Sequence, residues 1–467
     1  MIARRALLAA PALLPLGAAA QTASAVAQDD TVGAGLRRGV LIRWGDRVTF
    51  DAPPFDPRQV DADAAAAQFG WDARIAAIIV PPAAADGTTR AVLAVAHPTV
   101  EAAMAFPGQD RPDVAAQMQG ASLLNLELQG GRWIVVDGGF QSRRLTASTL
   151  CRASGPLAEQ AGGAVQGVLG IQGGGATPWA SLLLAEGDPA LWSARLGSLD
   201  RRFVRGEGFG WLVELDPLDP HSIPVKRTAI GRYGKADAAA AQARGGQAVV
   251  YVAERGAGGY LFRFVSAGAA RDADALDRGT LSVAQLQNAR ITWVALPEGA
   301  AANPVEAARA ANGMAFDAPS SLYWDARANR LLFCGGFGVL SLVPDGGDAG
   351  APGMAGQMIN TQRLGAVQTA TADARGRLLI GTDAGGPVGA RAQTLWAVEG
   401  NNATALYGAA RGAGIGNAVV SPDGGTIFTV ARRPGSEPGS TFDRPATRWP
   451  EFEPGMPPRS ALLALAR

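Results

Sequence analysis

Short β-prone apolar runs recur along this chain, each entered through a turn that carries Asp with Gly or Asn and each ending in small residues. Asp325 to Asn329 leads into Arg330-Leu331-Leu332-Phe333, and Asp373 to Gly376 leads into Arg377-Leu378-Leu379-Ile380-Gly381. Asp423-Gly424-Gly425 leads into Thr426-Ile427-Phe428-Thr429-Val430, so the three Asp positions lie 48 and then 50 residues apart. A period of that size, built from strands rather than helix pairs, predicts propeller blades that bury their faces against one another.

Earlier segments follow the same habit less regularly. Strands are predicted at Arg132 to Val136, Trp211 to Leu215, Val249 to Val252 and Tyr260 to Phe264, each after a glycine-bearing turn. Alanine-rich pieces at Asp61 to Gln68, Lys235 to Arg244 and Asn303 to Met314 read as short helices in loops between strands, because alanine favours helix and offers little packing surface. The glycine-rich Gly412 to Gly416 reads as a propeller turn, and the uncharged stretch Gln160 to Ala185 is too broken by Gly and Gln for a membrane span.

Composition narrows the function. The 467 residues are 48% hydrophobic, with 61 Gly and 30 Pro, enough for an ample core that turns interrupt often. Lys and Arg total 42 against 41 Asp and Glu, and Lys226 and Lys235 are the only lysines. An even charge balance without a basic stripe argues against nucleic-acid binding. His97 and His221 are the only histidines, which excludes a multi-His zinc site; His221 falls in a polar turn, whereas His97 ends an apolar run at a strand terminus. Cys151 and Cys334 fit either one long-range bridge or two buried thiols.

Arg4 and Arg5 precede an apolar run from Ala6 to Ala20 that ends in small residues, so residues 1–20 read as an export signal peptide. The paired arginines suit the twin-arginine route, with a general secretory signal as the alternative. Residues 21–32 read as a flexible segment and 33–467 as a single domain, in the periplasm or secreted. No nucleophile elbow occurs, and Gly231 to Ala236 has the wrong spacing for a phosphate loop.

The ordered segments together resemble the PhoX-type alkaline phosphatases. They are Gly39 to Gly45 with Phe55-Asp56-Pro57 and Phe69-Gly70, then Arg143 to Ala147, then Thr177-Pro178-Trp179. They continue through Gly210 to Pro217, Pro224 to Arg232 and Ser421 to Phe428. The resemblance implies an all-β fold, a six-bladed β-propeller with short helical insertions in loops, and phosphomonoester hydrolysis by a centre in which carboxylates and a cysteine thiolate hold iron and calcium.

At the motifs that would carry that centre, this chain departs from the family. Where relatives have Asn-His-Glu it has Ala96-His97-Pro98, and Gln172 stands where the thiolate is expected. His-Glu becomes Lys235-Ala236, an Asp-Asp pair becomes Glu254-Arg255, and Asp-Arg-Pro-Glu becomes Asp317-Ala318-Pro319-Ser320. Pro-Asp-Gly becomes Val367-Gln368-Thr369, Gly-Ala-Glu becomes Gly412-Ala413-Gly414, and of one acidic pair Glu186 remains beside Gly187 and Asp188. A cation such as Lys235 or Arg255 would repel calcium at close range.

The expectation is a PhoX-like propeller with a degenerate metal site, without metal ligands or a required cofactor, and with its phosphatase activity impaired or lost. Any remaining chemistry would fall to Glu186, Asp188, Glu254 and Asp317, with His97 as acid or base. Arg143, Arg144, Lys235 and Arg255 are the candidates for binding an anion directly, although structural pairing is the simpler role for Arg143 and Arg144. The alternative is a non-catalytic binding propeller for an anionic small molecule or an exported protein, and after it a calcium-propeller lactonase. A monomer without a membrane span is expected in each case.

Overall fold

The computed structural model describes residues 25–359, 364–383 and 391–467. The export signal expected at 1–20 lies outside them. Strands dominate, and among the described residues they form sheets of ten, six, five, five and four strands. The largest consists of two antiparallel sets joined only where Arg290 and Ile291 meet Met354 and Gly353.

Six strands lie innermost, at Arg74–Ile79, Ile171–Ala176, Lys235–Gln242, Ser321–Asp325, Val367–Ala372 and Gly414–Val420. Each packs beside the next in that order, and the last returns to the first, so the circuit is closed. The result is a propeller-like ring. The chain ends close one sheet, with Arg37–Arg43 antiparallel to the C-terminal strand Ala461–Ala466. Of the segment 21–32, Thr31–Val32 pairs with Asn402–Gly408 as an edge strand.

The core lies between sheets. Alternation along a strand sends neighbouring side chains to opposite faces, and here both faces are buried. In Lys235–Gln242, Ala238 and Ala240 pack with Leu183 and Leu212 of the preceding sheet, while Ala239 and Ala241 pack with Leu322 and Leu331 of the following one. The same arrangement explains a correction. Lys235 to Arg244 forms an inner strand instead of the expected helix, because burial on both faces near the crowded axis favours small side chains and overrides alanine's helical preference.

The other alanine-rich pieces are helical: Ala62–Ala67, capped by Asp61, and Pro304–Ala310. The turn expected at Gly412 to Gly416 is confined to its first residues, since the inner strand starts at Gly414. The spaced Asp residues Asp325, Asp373 and Asp423 each sit at the hairpin between an inner strand and its neighbour. Cys151 and Cys334 are free, buried thiols in different sheets. No described helix is long and apolar enough to cross a membrane.

Lys226 and Lys235 both have 0% exposure. Amine acylation of the native protein is therefore expected to leave both lysines unmodified, and acylation after denaturation to modify both; peptide mass spectrometry distinguishes the outcomes. Modification of either lysine in the native state would contradict the packing.

Candidate functional site: an arginine-lined cavity at the start of the inner strands

Five of the six inner strands break register near their first residues, at Ile75/Ala77, Ile171/Gly173, Lys235/Asp237, Val367/Thr369 and Ile415/Ala418. A bulge leaves a residue outside the ladder and re-aims its side chain. Three of the bulged residues, Gln172, Ala236 and Gln368, line one cavity of about 660 Å³. Ser320, just before the fourth inner strand, lines it as well. These are the positions at which the family resemblance places a thiolate or an acid.

Arginines outnumber acids in the cavity lining: Arg74, Arg195, Arg255, Arg432 and Arg433 stand against Glu101, Asp188 and Asp383. Four of them are held by carboxylates. Arg432 grips Asp72 through two bonds of 3.0 and 2.7 Å and reaches Asp383 at 3.2 Å. Arg433 donates to Asp383 at 2.8 Å. Arg74 joins Asp237 at 3.1 Å and the Ser320 carbonyl at 2.9 Å, tying three inner strands together. Arg195 pairs with Asp110. Burial raises the Asp237 carboxyl to about 6 even with Arg74 beside it.

Arg255 differs from these. Its guanidinium donates to the neutral Gln172 side-chain oxygen. Burial, together with repulsion from Arg432, Arg74 and Arg433, lowers its pKa.

Of the nine residues proposed from the sequence as catalytic or anion-binding, Asp188 and Arg255 line this cavity and the other seven do not. Asp188 caps the helix Pro189–Leu196 by accepting from the Ala190 amide at 2.9 Å. Glu254 is half-buried and accepts from the Tyr260 amide, and Asp317 is exposed in a turn. Arg143 donates to the Pro220 and Ser222 carbonyls, and Arg144 to the Gln117 and Gln119 carbonyls. Both arginines bond backbone carbonyls within the sheets and lie outside the cavity.

Glu186 has 0% exposure and pairs with Lys226 at 2.7 Å, while also accepting from the Leu169 and Trp211 amides. It anchors the sheet instead of facing the cavity. Lys235 points its ammonium at the carbonyls of Gly210, Gly231 and Tyr233, at 2.6, 2.9 and 3.1 Å. Burial lowers its amine to about 7. Its three hydrogens go to backbone carbonyls, away from the cavity.

His97 ends the strand Arg90–His97 as expected, but it is wholly buried. Its Nδ1 meets the Asp72 carbonyl at 2.5 Å, an acceptor only, so Nδ1 carries the proton. Its Nε2 then accepts from the Ser122 hydroxyl at 2.7 Å, and that hydroxyl in turn accepts from Arg144. Burial and the nearby Arg144 hold the His97 pKa well below its usual value. Neutral His97 thus fixes the backbone of Asp72, whose carboxylate holds Arg432. Both of its ring nitrogens are engaged inside the fold, away from the cavity.

Sequence reasoning missed Arg74, Arg195, Arg432 and Arg433 and treated Gln172 only as a loss. The available signal was positional: Arg74 opens an inner strand, and Arg432 with Arg433 closes the strand Thr426–Arg432 beside another.

This donor set does not fit calcium or iron. Hard cations need several free carboxylate oxygens, and an iron thiolate needs a cysteine. The inward positions carry two amides, an alanine and a serine; Asp72, Asp237 and Asp383 are engaged by guanidinium groups, and of the other two lining carboxylates Asp188 caps a helix and Glu101 accepts from the Ser436 hydroxyl.

A closed ring of β-sheets with a polar cavity at the start of its inner strands defines a propeller-like binding or catalytic protein. More particularly, the alkaline phosphatase PhoX family model matches residues 19–329, and the chain belongs to that family. Pseudomonas fluorescens PhoX in complex with vanadate, a transition state analogue, shares the fold with a TM-score of 0.84 at 23% identity, over 97% of this chain and 98% of that one. A 6-phosphogluconolactonase candidate from Bacteroides uniformis gives a TM-score of 0.35 at 11% identity, covering 76% of this chain and 79% of its own. No curated protein matches.

Glu186→Gln is expected to lower stability by about 3–5 kcal/mol, because it leaves the Lys226 charge buried without its partner. Chemical denaturation measures the loss, and adding Lys226→Met should recover part of it. Failure of both would show that the pair does not anchor the sheet.

Unfolded His97 takes a proton near its ordinary pKa of about 6.5 while the folded ring resists it, so its contribution to stability is lost as pH falls. Relative to His97→Gln, which can keep both hydrogen bonds, the wild type should lose about 1.4 kcal/mol per pH unit below about 6.5, until the folded-state pKa is reached. A pH-independent difference between the two would mean that His97 takes up its proton as readily in the fold as in the unfolded chain, and the burial argument would fail.

Proposed function

We propose that this chain is an exported, six-bladed PhoX-family propeller that binds a phosphate-type oxyanion in its arginine-lined cavity, with the family's metal-dependent hydrolysis impaired or lost. The carrying observation is the neutral set at the inward positions: Gln172, Ala236, Ser320 and Gln368 hold no acid between them. The closed circuit of six inner strands supports the blade count. The vanadate held by the Pseudomonas fluorescens relative supports an oxyanion as ligand.

The geometry gives the binding its chemistry. Guanidinium groups recognise oxyanions through paired N–H donors, and a charged acceptor makes a stronger bond than a neutral one. Arg432 and Arg433 are fixed by Asp72 and Asp383, and Arg255 brings a charge that no carboxylate engages among the described residues. With no activated nucleophile facing the cavity among the described residues, the chain's own residues bind and orient the anion and stop there.

Calorimetric titration with inorganic phosphate is expected to give saturable binding that excess chelator changes by less than about twofold. Hydrolysis of para-nitrophenyl phosphate, assayed with calcium and iron supplied, should stay at the uncatalysed rate. Turnover that a chelator abolishes would overturn the proposal, as would the absence of phosphate binding.

A further inference from the structure

We infer that Gln172 and Arg255 form an exchangeable latch: the Gln172 amide holds the Arg255 guanidinium in the ligand-free cavity, and an incoming oxyanion displaces it. This rests on the proposed function and assigns the residue pair that responds to the ligand.

The pairing is asymmetric. Gln172 is buried, and its amide nitrogen donates to the Gly170 carbonyl at 2.8 Å, which turns its oxygen toward Arg255. Gly187 packs against the same side chain, where a Cβ would come within 2.8 Å of the amide nitrogen. Gln172 is therefore fixed from both sides.

Arg255 is held on its other side by a turn. It follows the strand Gln247–Glu254 and precedes Gly256 and Gly258, whose φ angles are +115° and +75°. A Cβ at either glycine would meet nothing within 4 Å, so the turn stands in open space beside the cavity. Arg255 as a residue is solvent-accessible at this turn, and its guanidinium is part-buried where it meets Gln172, so the side chain can swing toward the turn without repacking a core.

Electrostatics supplies the direction. The other cavity arginines hold carboxylates, and exchanging one of those for a ligand anion would gain little. Arg255 would exchange a neutral amide oxygen for a charged one, among arginines that repel it. The anion relieves that repulsion, so Arg255 is the group that moves.

The test is calorimetric titration of inorganic phosphate into wild type, Gln172→Ala, Gln172→Glu and Arg255→Gln, with thermal unfolding confirming that each variant folds. Gln172→Ala removes the competitor and should bind about threefold more tightly or better. Gln172→Glu gives Arg255 a permanent carboxylate and should weaken binding at least about tenfold, as should Arg255→Gln. Unchanged or weaker binding by Gln172→Ala overturns the latch, because a residue that only contributes charge or contacts the anion itself would give that result. Wild-type affinity in Gln172→Glu or Arg255→Gln overturns it equally. If the wild type binds no phosphate, the proposed function falls and the latch with it.

Discussion

At three inner strands a bulge near the first residue takes one side chain, Gln172, Ala236 or Gln368, out of the ladder and into the cavity, and everything proposed for this protein depends on what stands there. Five of the six inner strands carry such a break. The backbone device is set by strand pairing and by the packing of small residues between sheets, so it persists whatever the side chain is. The chemistry of the cavity can change without changing the fold.

The cavity occupants and their surroundings act together. Asp72, Asp237 and Asp383 each have a guanidinium partner, and the network runs outward from there: Arg432 to Asp72, Asp72 to His97, His97 to Ser122, Ser122 to Arg144. Buried charges are tolerated when paired and bonded, and they then resist replacement one at a time. The same principle governs Glu186 with Lys226, and Glu214, which Arg227, Trp179 and Ser181 all engage. Carboxylates committed in this way hold sheets together and have no oxygen to spare for a multivalent cation.

Much of the fold was legible in the sequence because its signals are local. Spaced Asp turns mark hairpins, and β-prone runs mark strands. The resemblance motifs were readable for a structural reason: Thr177 to Trp179, Trp211 to Leu215 and Lys226 to Arg227 meet in the buried network around Glu214 and Glu186, which maintains a sheet rather than a reaction. Lys235 to Gln242 misled because alanine's helical preference is local and the crowding that overrides it is not. The site was poorly legible for the same kind of reason. Arg74 meets Asp237 across 163 positions and Arg432 meets Asp72 across 360, distances over which spacing carries no signal. Titratable residues stood out in the sequence, yet Glu186, His97 and Lys235 have their polar atoms bound inside the sheets.

The most direct test of the central claim is the metal content of the purified protein after incubation with calcium and iron and removal of unbound ions. Elemental mass spectrometry should find less than stoichiometric amounts of both, because the inward positions offer amides and an alanine where free acids are required. Stoichiometric iron together with calcium, retained through the removal step, would contradict the account.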